Sequence, residues 1–400
     1  MKKLLLLGGS RYLLPVIREA KALGCHVITC DYLPDNPAHK FADEYRNVSI
    51  TDMEAVLKLA EELKIDGIMS FACDPGVVTA AYVAEKLGLP SVGSYESVSI
   101  LQDKAKFRRF LRENGFTVPR SKGYTDPDAA LAEADQFQFP VIVKPVDSAG
   151  SKGVSRVDDP SRLPAAMDYA LSFSRAKEFI IEAFIEPRGH ASDTECFSVD
   201  GELKFASFNC QYFDANADNP YTPAGFTWPS SMSSEHQAEL RAELQRLITL
   251  LGLGSSVYNL EAREGVDGKA YIMEFSPRGG GNRLCEMLQY CCGTNLIRNA
   301  VKAALGEPVE DLHDPEYTGH WAEIILHSDK AGRYAGLDLD PAVRPYVVEE
   351  DLWVEPGETV EAFSGANKTI GTLILNFPSA EEREQRMANI PGWLKLLVEE

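Results

Sequence analysis

The sequence predicts a three-part α/β and α+β protein: an N-terminal doubly wound parallel-sheet domain, a small α+β lid, and a C-terminal mixed-sheet, strand-rich domain. Three observations predict it. From residue 3 to about residue 90, short apolar runs alternate with amphipathic helical segments, the pattern of βαβ units. A wholly apolar strand around residue 142 leads into a glycine- and serine-bearing loop, and strands dominate after about residue 318. A chain of 400 residues is also too long for one core. The expected boundaries are 1–97 for the first domain, 98–305 for a central unit whose lid covers about 120–200, and 306–400 for the last.

In chain order, the strand KLLLLGG is followed by a helix over Leu13–Leu23, the strand HVITCD, a helix over Asp52–Leu63, the strand GIMSF and a helix over Val77–Leu87. Ligands of such sheets bind at the carboxyl ends of the strands, which places Gly8, Gly9, Ser10, Asp31 and Asp74 on one rim. The Gly8-Gly9-Ser10 turn lacks a full G-x-G-x-x-G, so a dinucleotide site has weak support. Asp31 and Asp74 either cap strand-end loops and helices or touch a second substrate. A helix is expected from Ser99 to Asn114-Gly115, with Lys104 near its start. The lid follows with FPVIVKP, a strand near Val154, a helix over Ser161–Ser172 and the strand FIIEAF. Beyond it come the strands KFASFNCQ, SVYNLEAR and AYIMEFS, a helix over Leu296–Leu305, and a last helix over Ala380–Met387.

Composition narrows the function classes. Charged residues make up 25% of the chain, as in ordinary globular proteins, yet the net charge is −20. That balance disfavours nucleic acid and anionic membrane as partners, so any phosphate site has to gather its lysines and arginines locally. The opening MKKLLLLGGSRYLLP breaks after four leucines, too short for a signal core or a membrane span, and is expected to be a buried strand. The eight cysteines show no C-x-x-C spacing, and the expectation is reduced thiols in a cytoplasmic protein.

Three segments carry candidate chemistry. Lys144 ends the apolar strand PVIVKP immediately before the loop with Gly150 and Gly153. Backbone N–H groups in such a loop can wrap phosphate oxygens while the lysine supplies a point charge; the alternative is a turn with a snorkelling lysine. Glu261 in YNLEAR and Glu274 in YIMEFS flank an Asp267-Gly268 turn, so an antiparallel hairpin brings two carboxylates within reach of a hard cation, unless both lie on an exposed face. Directly after Glu274, Arg278 and Arg283 bracket three glycines in Ser-Pro-Arg-Gly-Gly-Gly-Asn-Arg. An arginine fork there suits a carboxylate or a transferring phosphoryl group.

Taken in order, Asp103-Lys104, Val143-Lys144-Pro145, the Gly150/Gly153 loop, Ile181-Glu182-Ala-Phe-Ile-Glu186, Glu261 and Glu274-Phe-Ser-Pro-Arg278-Gly-Gly-Gly resemble the ATP-grasp superfamily over nearly the whole chain. The similarity is to the branch holding biotin carboxylase, carbamoyl-phosphate synthetase, phosphoribosylglycinamide synthetase and L-amino-acid ligases. It implies that Lys104 and Lys144 hold ATP phosphates, with the loop of Ser148, Gly150, Ser151 and Gly153 closing over them. It implies that Glu182 and Ile185 line the adenine hinge, that Glu261 and Glu274 hold Mg2+ (Mn2+ as an alternative), and that Arg278 steadies the acceptor or the acyl phosphate. The implied reaction is ADP-forming: a carboxylate is activated as an acyl phosphate and attacked by an amine. Catalysis of this kind rests on positioning and electrostatics, with Lys144 and Arg278 as its groups and no covalent enzyme intermediate.

Two positions depart from the family pattern. Ser276 stands where Asn is common beside the metal acids, and the usual ribose-binding acid falls on Ala191, leaving Asp193 or Glu195. Ser-Pro-Arg-Gly-Gly-Gly-Asn-Arg lacks the bicarbonate residues of biotin carboxylase. It looks more like amino-acid or dipeptide ligases than like a purine-pathway ligase of the phosphoribosylglycinamide synthetase type, with a non-catalytic nucleotide-binding module as a further alternative. The expected partners are a small-molecule carboxylate and an amine, with a homodimer as the default assembly.

Overall fold

The computed structural model describes residues 1–310 and 312–399. The first unit comprises β1 (Lys3–Leu7), α1 (Leu14–Ala22), β2 (His26–Cys30), β3 (Glu44–Arg46), α2 (Met53–Leu63), β4 (Gly67–Ser70) and α3 (Asp74–Leu87). Its strands form an all-parallel sheet in the order β3-β2-β1-β4. Parallel strands covered on both faces need continuous apolar runs, and Leu4 to Leu7 of β1 are all fully buried. The Asp52 carboxylate caps α2 by accepting from the Ala55 N–H, and Gly88 closes α3 in the left-handed conformation.

One expected helix is two. The segment from Ser99 to Asn114 breaks at Asp103 into the end of α4 (Tyr95–Gln102) and all of α5 (Lys104–Glu113). Asp103 is extended (φ −113°, ψ 110°) and its carboxylate accepts the Lys106 N–H, so an aspartate that competes for backbone donors starts a new helix. Lys104 therefore occupies the first helical position of α5.

A four-stranded antiparallel sheet follows, built from β5 (Ser121–Tyr124), α6 (Pro127–Ala132), β6 (Val141–Pro145), β7 (Ser155–Val157), α7 (Leu163–Phe173) and β8 (Phe179–Ala183) in the strand order β5-β8-β6-β7. Val141, Val143 and Ile181 pack under Leu163 and Met167 of α7. The chain then forms β9 (Ser192–Val199), β10 (Glu202–Ala206), β11 (Cys210–Phe213), β12 (Pro223–Trp228), α8 (Ser234–Leu250), β13 (Ser256–Glu264), β14 (Ala270–Ser276), α9 (Leu284–Cys292) and α10 (Leu296–Ala304). The sheet β10-β9-β13-β14 is the central one. The segment KFASFNCQ, expected as one strand, parts between β10 and β11. Buried Asn209 makes the crossing: its carbonyl accepts from the Asp193 N–H at 2.9 Å, and its amide donates to the Asp193 main-chain oxygen at 2.7 Å.

The last elements are β15 (His320–Leu326), β16 (Gly332–Leu339), β17 (Val347–Leu352), β18 (Thr359–Val360), β19 (Gly371–Phe377), α11 (Ala380–Met387) and β20 (Leu394–Glu399). They complete the sheets β11-β12-β15-β19-β17 and β18-β16-β20. One apolar cluster joins Leu4 and Leu6 of the first unit, Leu288 of α9, and Phe226, Trp228 and Trp321 of the five-stranded sheet, so first and last units share a core. Among the described residues, no helix is long and apolar enough to cross a membrane.

Candidate active site

The hairpin of β13 and β14 sets the site. Gly268 takes φ +77° and its N–H donates to Gly265 O at 3.0 Å, a turn that only a residue without Cβ forms at little cost. The strands leave the turn with Glu264 opposite Ala270, and a β-bulge between Glu261 and Ala262 shifts the register by one residue and puts Glu261 directly opposite Glu274. On the other side of Glu261 lies Asp193 of β9, giving a row of three carboxylates across adjacent strands. Desolvation and then the Glu261 charge push the Asp193 carboxyl up to about 7, while the Asn259 amide donates to it at 2.8 Å. Asp193, one of the two residues that the sequence offers for the ribose, thus stands beside the Glu261–Glu274 pair. Glu195, the other, is buried and accepts the Gly280 N–H at 2.7 Å.

The cations face this row. The Lys104 ammonium lies 3.2 Å from Glu274 and donates to Ser148 O at 3.0 Å. Burial works to lower its pKa, but Glu274, then Asp74 and Glu261, outweigh burial and leave it raised. Lys144 is buried with its ammonium 3.2 Å from Glu182, whose other oxygen pairs with Arg108. Burial alone would raise the Glu182 pKa; the Arg108 and Lys144 charges bring it to about 2. Lys104 and Lys144 also hold the Glu274 carboxyl below the usual range against the effect of burial. Glu261 is paired with Arg263 at 3.2 Å.

Above the lysines runs the loop between β6 and β7. Gly150, Ser151 and Gly153 all have positive φ, at 68°, 58° and 74°. A Cβ at Gly153 would stand 2.8 Å from the Pro145 ring, so glycine is required there by space as well as by backbone. The Ser151 hydroxyl donates to Tyr221 O at 2.8 Å, and the Asn219 amide donates to Ser151 O at 3.1 Å, docking the loop on the β11–β12 connection. Ser148 and Ala149 roof a cleft of about 410 Å³ that also presents Asp74, Gln102, Lys104 and Glu274.

Arg278 grips Asp74 with both ends of its fork, at 3.0 and 2.8 Å. The Ser276 hydroxyl donates to the same carboxylate at 2.9 Å and accepts from the Gln102 amide at 2.7 Å. Asp74 therefore does more than begin α3: it anchors the arginine expected to meet the acceptor. Next to it the Ala72 N–H donates to Gly279 O at 2.9 Å, and Gly279 lies so close to the Phe71 ring that a Cβ there would collide with it.

At the hinge, the Glu182 side chain is occupied by Arg108 and Lys144, and its main chain lies in β8 between Ser121 of β5 and Ile142 of β6, so the expected contact of Glu182 with the base is not supported and Ile185 is left to offer it. Ile185 is buried against Tyr271 and Met273, and among the described residues its main chain makes no hydrogen bond in turns or loops. An unsatisfied N–H and C=O beside apolar side chains fit an adenine edge. Sequence reasoning missed Arg108, Gln102 and Asn219. Only Arg108 left a signal, being four residues from Lys104 and hence on the same face of α5.

Among the described residues, no group of three or more Asp, Glu, His or Cys converges as a ready-made metal cage. Mg2+ at nucleotide sites takes one or two carboxylates plus phosphate oxygens, and Glu261 and Glu274 provide that pair. Each now has one oxygen on a side-chain cation that a metal would displace.

Comparison with known proteins agrees with this geometry. A model described as the ATP-grasp domain matches residues 137–286, and one described as the ATP-grasp N-terminal domain matches residues 17–91. The chain is a member of the ATP-grasp superfamily. It is 27% identical over 388 residues to the formate-dependent phosphoribosylglycinamide formyltransferase of Bacteroides thetaiotaomicron, covering 94% of each chain. The L-amino acid ligase of Bacillus licheniformis superposes with a TM-score of 0.79 at 20% identity, over 100% of this chain and 99% of that one. The phosphoribosylglycinamide synthetase of Anaerococcus prevotii gives 0.74 at 19% over the whole of both. This ATP-grasp protein is an ATP-using enzyme of the ligase class, with Mg2+ as the accompanying ion.

Proposed function

We propose that this ATP-grasp enzyme joins a small carboxylic acid to an amine, forming ADP and phosphate, and that the residues assembled at the cleft carry the reaction. The single observation behind the assignment is that Lys104, Glu274 and Asp74 line one cleft under Ser148 and Ala149, with Glu261 paired opposite Glu274 and Arg278 held by Asp74. Mg-ATP, when bound, supplies the phosphoryl group and the countercharge for its transfer. Lys104 and Lys144 bind and orient the phosphates, the loop excludes water, Ile185 offers main-chain groups to the base, and Arg278 holds the carboxylate in line.

The carboxylate oxygen then forms a bond to the γ-phosphorus as ADP leaves, and the amine nitrogen forms a bond to the acyl carbon as phosphate leaves. Amino acids are favoured over a phosphorylated acceptor by the charge beyond Arg278. There Arg283 is shared between Glu286 and Glu349, so its charge is already taken up by two carboxylates and is not free for a phosphate. The test is ADP release with Mg-ATP against amino acids, other small acids, phosphoribosylamine and glycinamide ribonucleotide, with products identified by mass. Amide formation from unphosphorylated substrates is expected; turnover confined to ribonucleotides overturns the preference. Tight nucleotide binding with silence across the panel overturns the assignment.

A further inference from the structure

His236 lies in the first turn of α8, and both of its ring nitrogens are engaged. Nδ1 is 2.5 Å from the Glu264 carboxylate at the end of β13, and Nε2 is 3.2 Å from Gly268 O in the turn of the hairpin. A carboxylate and a carbonyl oxygen can only accept, so meeting both takes a proton on each nitrogen, which is the imidazolium. Glu264 is buried, and the same oxygen accepts the Ser233 N–H at 3.3 Å. The Glu264 hydrogen bond, joined by its charge, the Gly268 carbonyl and Glu239 of α8, outweighs burial and holds the His236 pKa above the ordinary 6.5. The other charged side chains of this corner are Glu235 on α8, Asp267 and Lys269 in the turn, which pair at 3.8 Å, and exposed Glu186 and Arg188 after the hinge.

The turn that His236 grips is zipped to the segment after Ile185. The Val266 N–H donates to Glu186 O at 3.0 Å, the Arg188 N–H donates to Glu264 O at 2.9 Å, and Pro187 and Gly265 form an antiparallel bridge. A Cβ on Gly265 would stand 3.2 Å from Ile185 Cγ2, so the turn rests directly on the hinge. Asp267, next to Gly268, accepts the Tyr271 hydroxyl at 2.7 Å, and Tyr271 packs with Met273 against Ile185. Close-packed contacts of this kind pass a displacement of the turn on to the residue offered to the base.

We infer that His236 is a proton-operated latch: protonated, it fastens the hairpin turn to α8 and keeps the adenine hinge in its binding shape, and deprotonated, it releases the turn and weakens nucleotide binding. The link to affinity rests on the nucleotide-site reading above and adds a means of regulation to it. Loss of one proton leaves the imidazole a single N–H. The carboxylate, the stronger acceptor, keeps it, and a lone pair on Nε2 then faces Gly268 O. The raised pKa fixes the sign: the latch is complete below 6.5 and is lost as pH rises through the folded-state value.

The experiment uses the full chain, wild type and His236→Gln, at about pH 6 and about pH 9.5, on either side of the expected titration. Mg-ADP affinity by calorimetry is one arm, and hydrogen exchange of the 264–269 turn is the other. Variant and wild type are compared at each pH, so the titration of the nucleotide and the base catalysis of exchange cancel. At the lower pH the variant should bind Mg-ADP about fivefold more weakly, the lower end of ordinary coupling between two sites, and should exchange its turn faster. At the higher pH the two proteins should agree in both arms. Coupling is reciprocal, so saturating Mg-ADP should raise the midpoint of the His236 titration, followed by proton NMR, by about 0.7 pH, the logarithm of that fivefold.

A wild-type advantage equal at both pH values makes His236 a plain structural contact and overturns the latch, as does a midpoint that Mg-ADP leaves unmoved. Faster turn exchange with unaltered Mg-ADP affinity overturns the coupling to the hinge. If neither protein binds Mg-ADP at either pH, the nucleotide-site reading falls, and the exchange arm alone upholds or overturns the latch. Where His236→Gln does not fold, His236→Lys takes its place, since a lysine stays charged at both pH values. Its affinity relative to wild type should rise about fivefold from the lower to the higher pH, and an unchanged ratio overturns the proposal.

Discussion

Lys104 and Glu274 meet as an ion pair of 3.2 Å, although one opens helix α5 and the other lies near the end of β14. The pair keeps a cation and an acid of the cleft mutually neutralised, and on the proposed reading a nucleotide and its metal would separate them. Glu274→Gln should abolish metal-dependent ADP release, by about 100- to 1000-fold in kcat, the scale for losing one group that stabilises developing charge. Circular dichroism of the variant should match the wild type. Retained turnover would remove Glu274 from the metal site.

Glu182 is the countercharge of two buried cations, so Glu182→Gln leaves Arg108 and Lys144 uncompensated, at a cost of about 3–5 kcal/mol in denaturant unfolding. The pH dependence has a definite sign. The folded-state pKa, about 2, lies below the ordinary glutamate value of 4.5, so the stabilisation is complete above 4.5 and is lost as pH falls towards 2. Acid unfolding of wild type should steepen over that window, and the Gln variant should not show this component.

Asp74→Asn keeps the shape of the Arg278 partner and removes its charge. A loosened arginine misplaces the acceptor, and a loss on the order of 100-fold in kcat/KM for the carboxylate is expected with KM for ATP unchanged. A variant altered only in ATP affinity would assign Asp74 to the nucleotide instead.

Gly153→Ala forces a side chain into the left-handed region and against Pro145. At about 1–2 kcal/mol of strain, KM for ATP should rise on the order of tenfold. Unchanged ATP kinetics would show that the loop does not close on phosphates.

The alternation of apolar runs and helices in the first ninety residues made the parallel sheet legible, and Asp267-Gly268 between two apolar strands made the hairpin of Glu261 and Glu274 legible, though not the bulge that sets the two opposite each other. Those are local signals, written in period and turn chemistry. The break at Asp103 was less so, because Asp can sit in a helix or cap one, and what decides is where the next helix packs. The partners of the site residues were not legible at all. Nothing near Arg278 in sequence names Asp74, and nothing near Lys144 names Glu182, since such pairs arise only when distant strands and helices are brought together.

The fit of Gly279 against Phe71, fastened by the Ala72 hydrogen bond, bears on how such enzymes can be recombined. Chimeras that exchange the first unit for that of another ligase will carry a foreign residue into this seam unless the glycine turn travels with it. The natural cassette for building hybrids is therefore discontinuous: the strand end at Phe71–Asp74 and the turn at Ser276–Arg283 form one transplantable module, though nearly the whole nucleotide-binding unit lies between them in the gene.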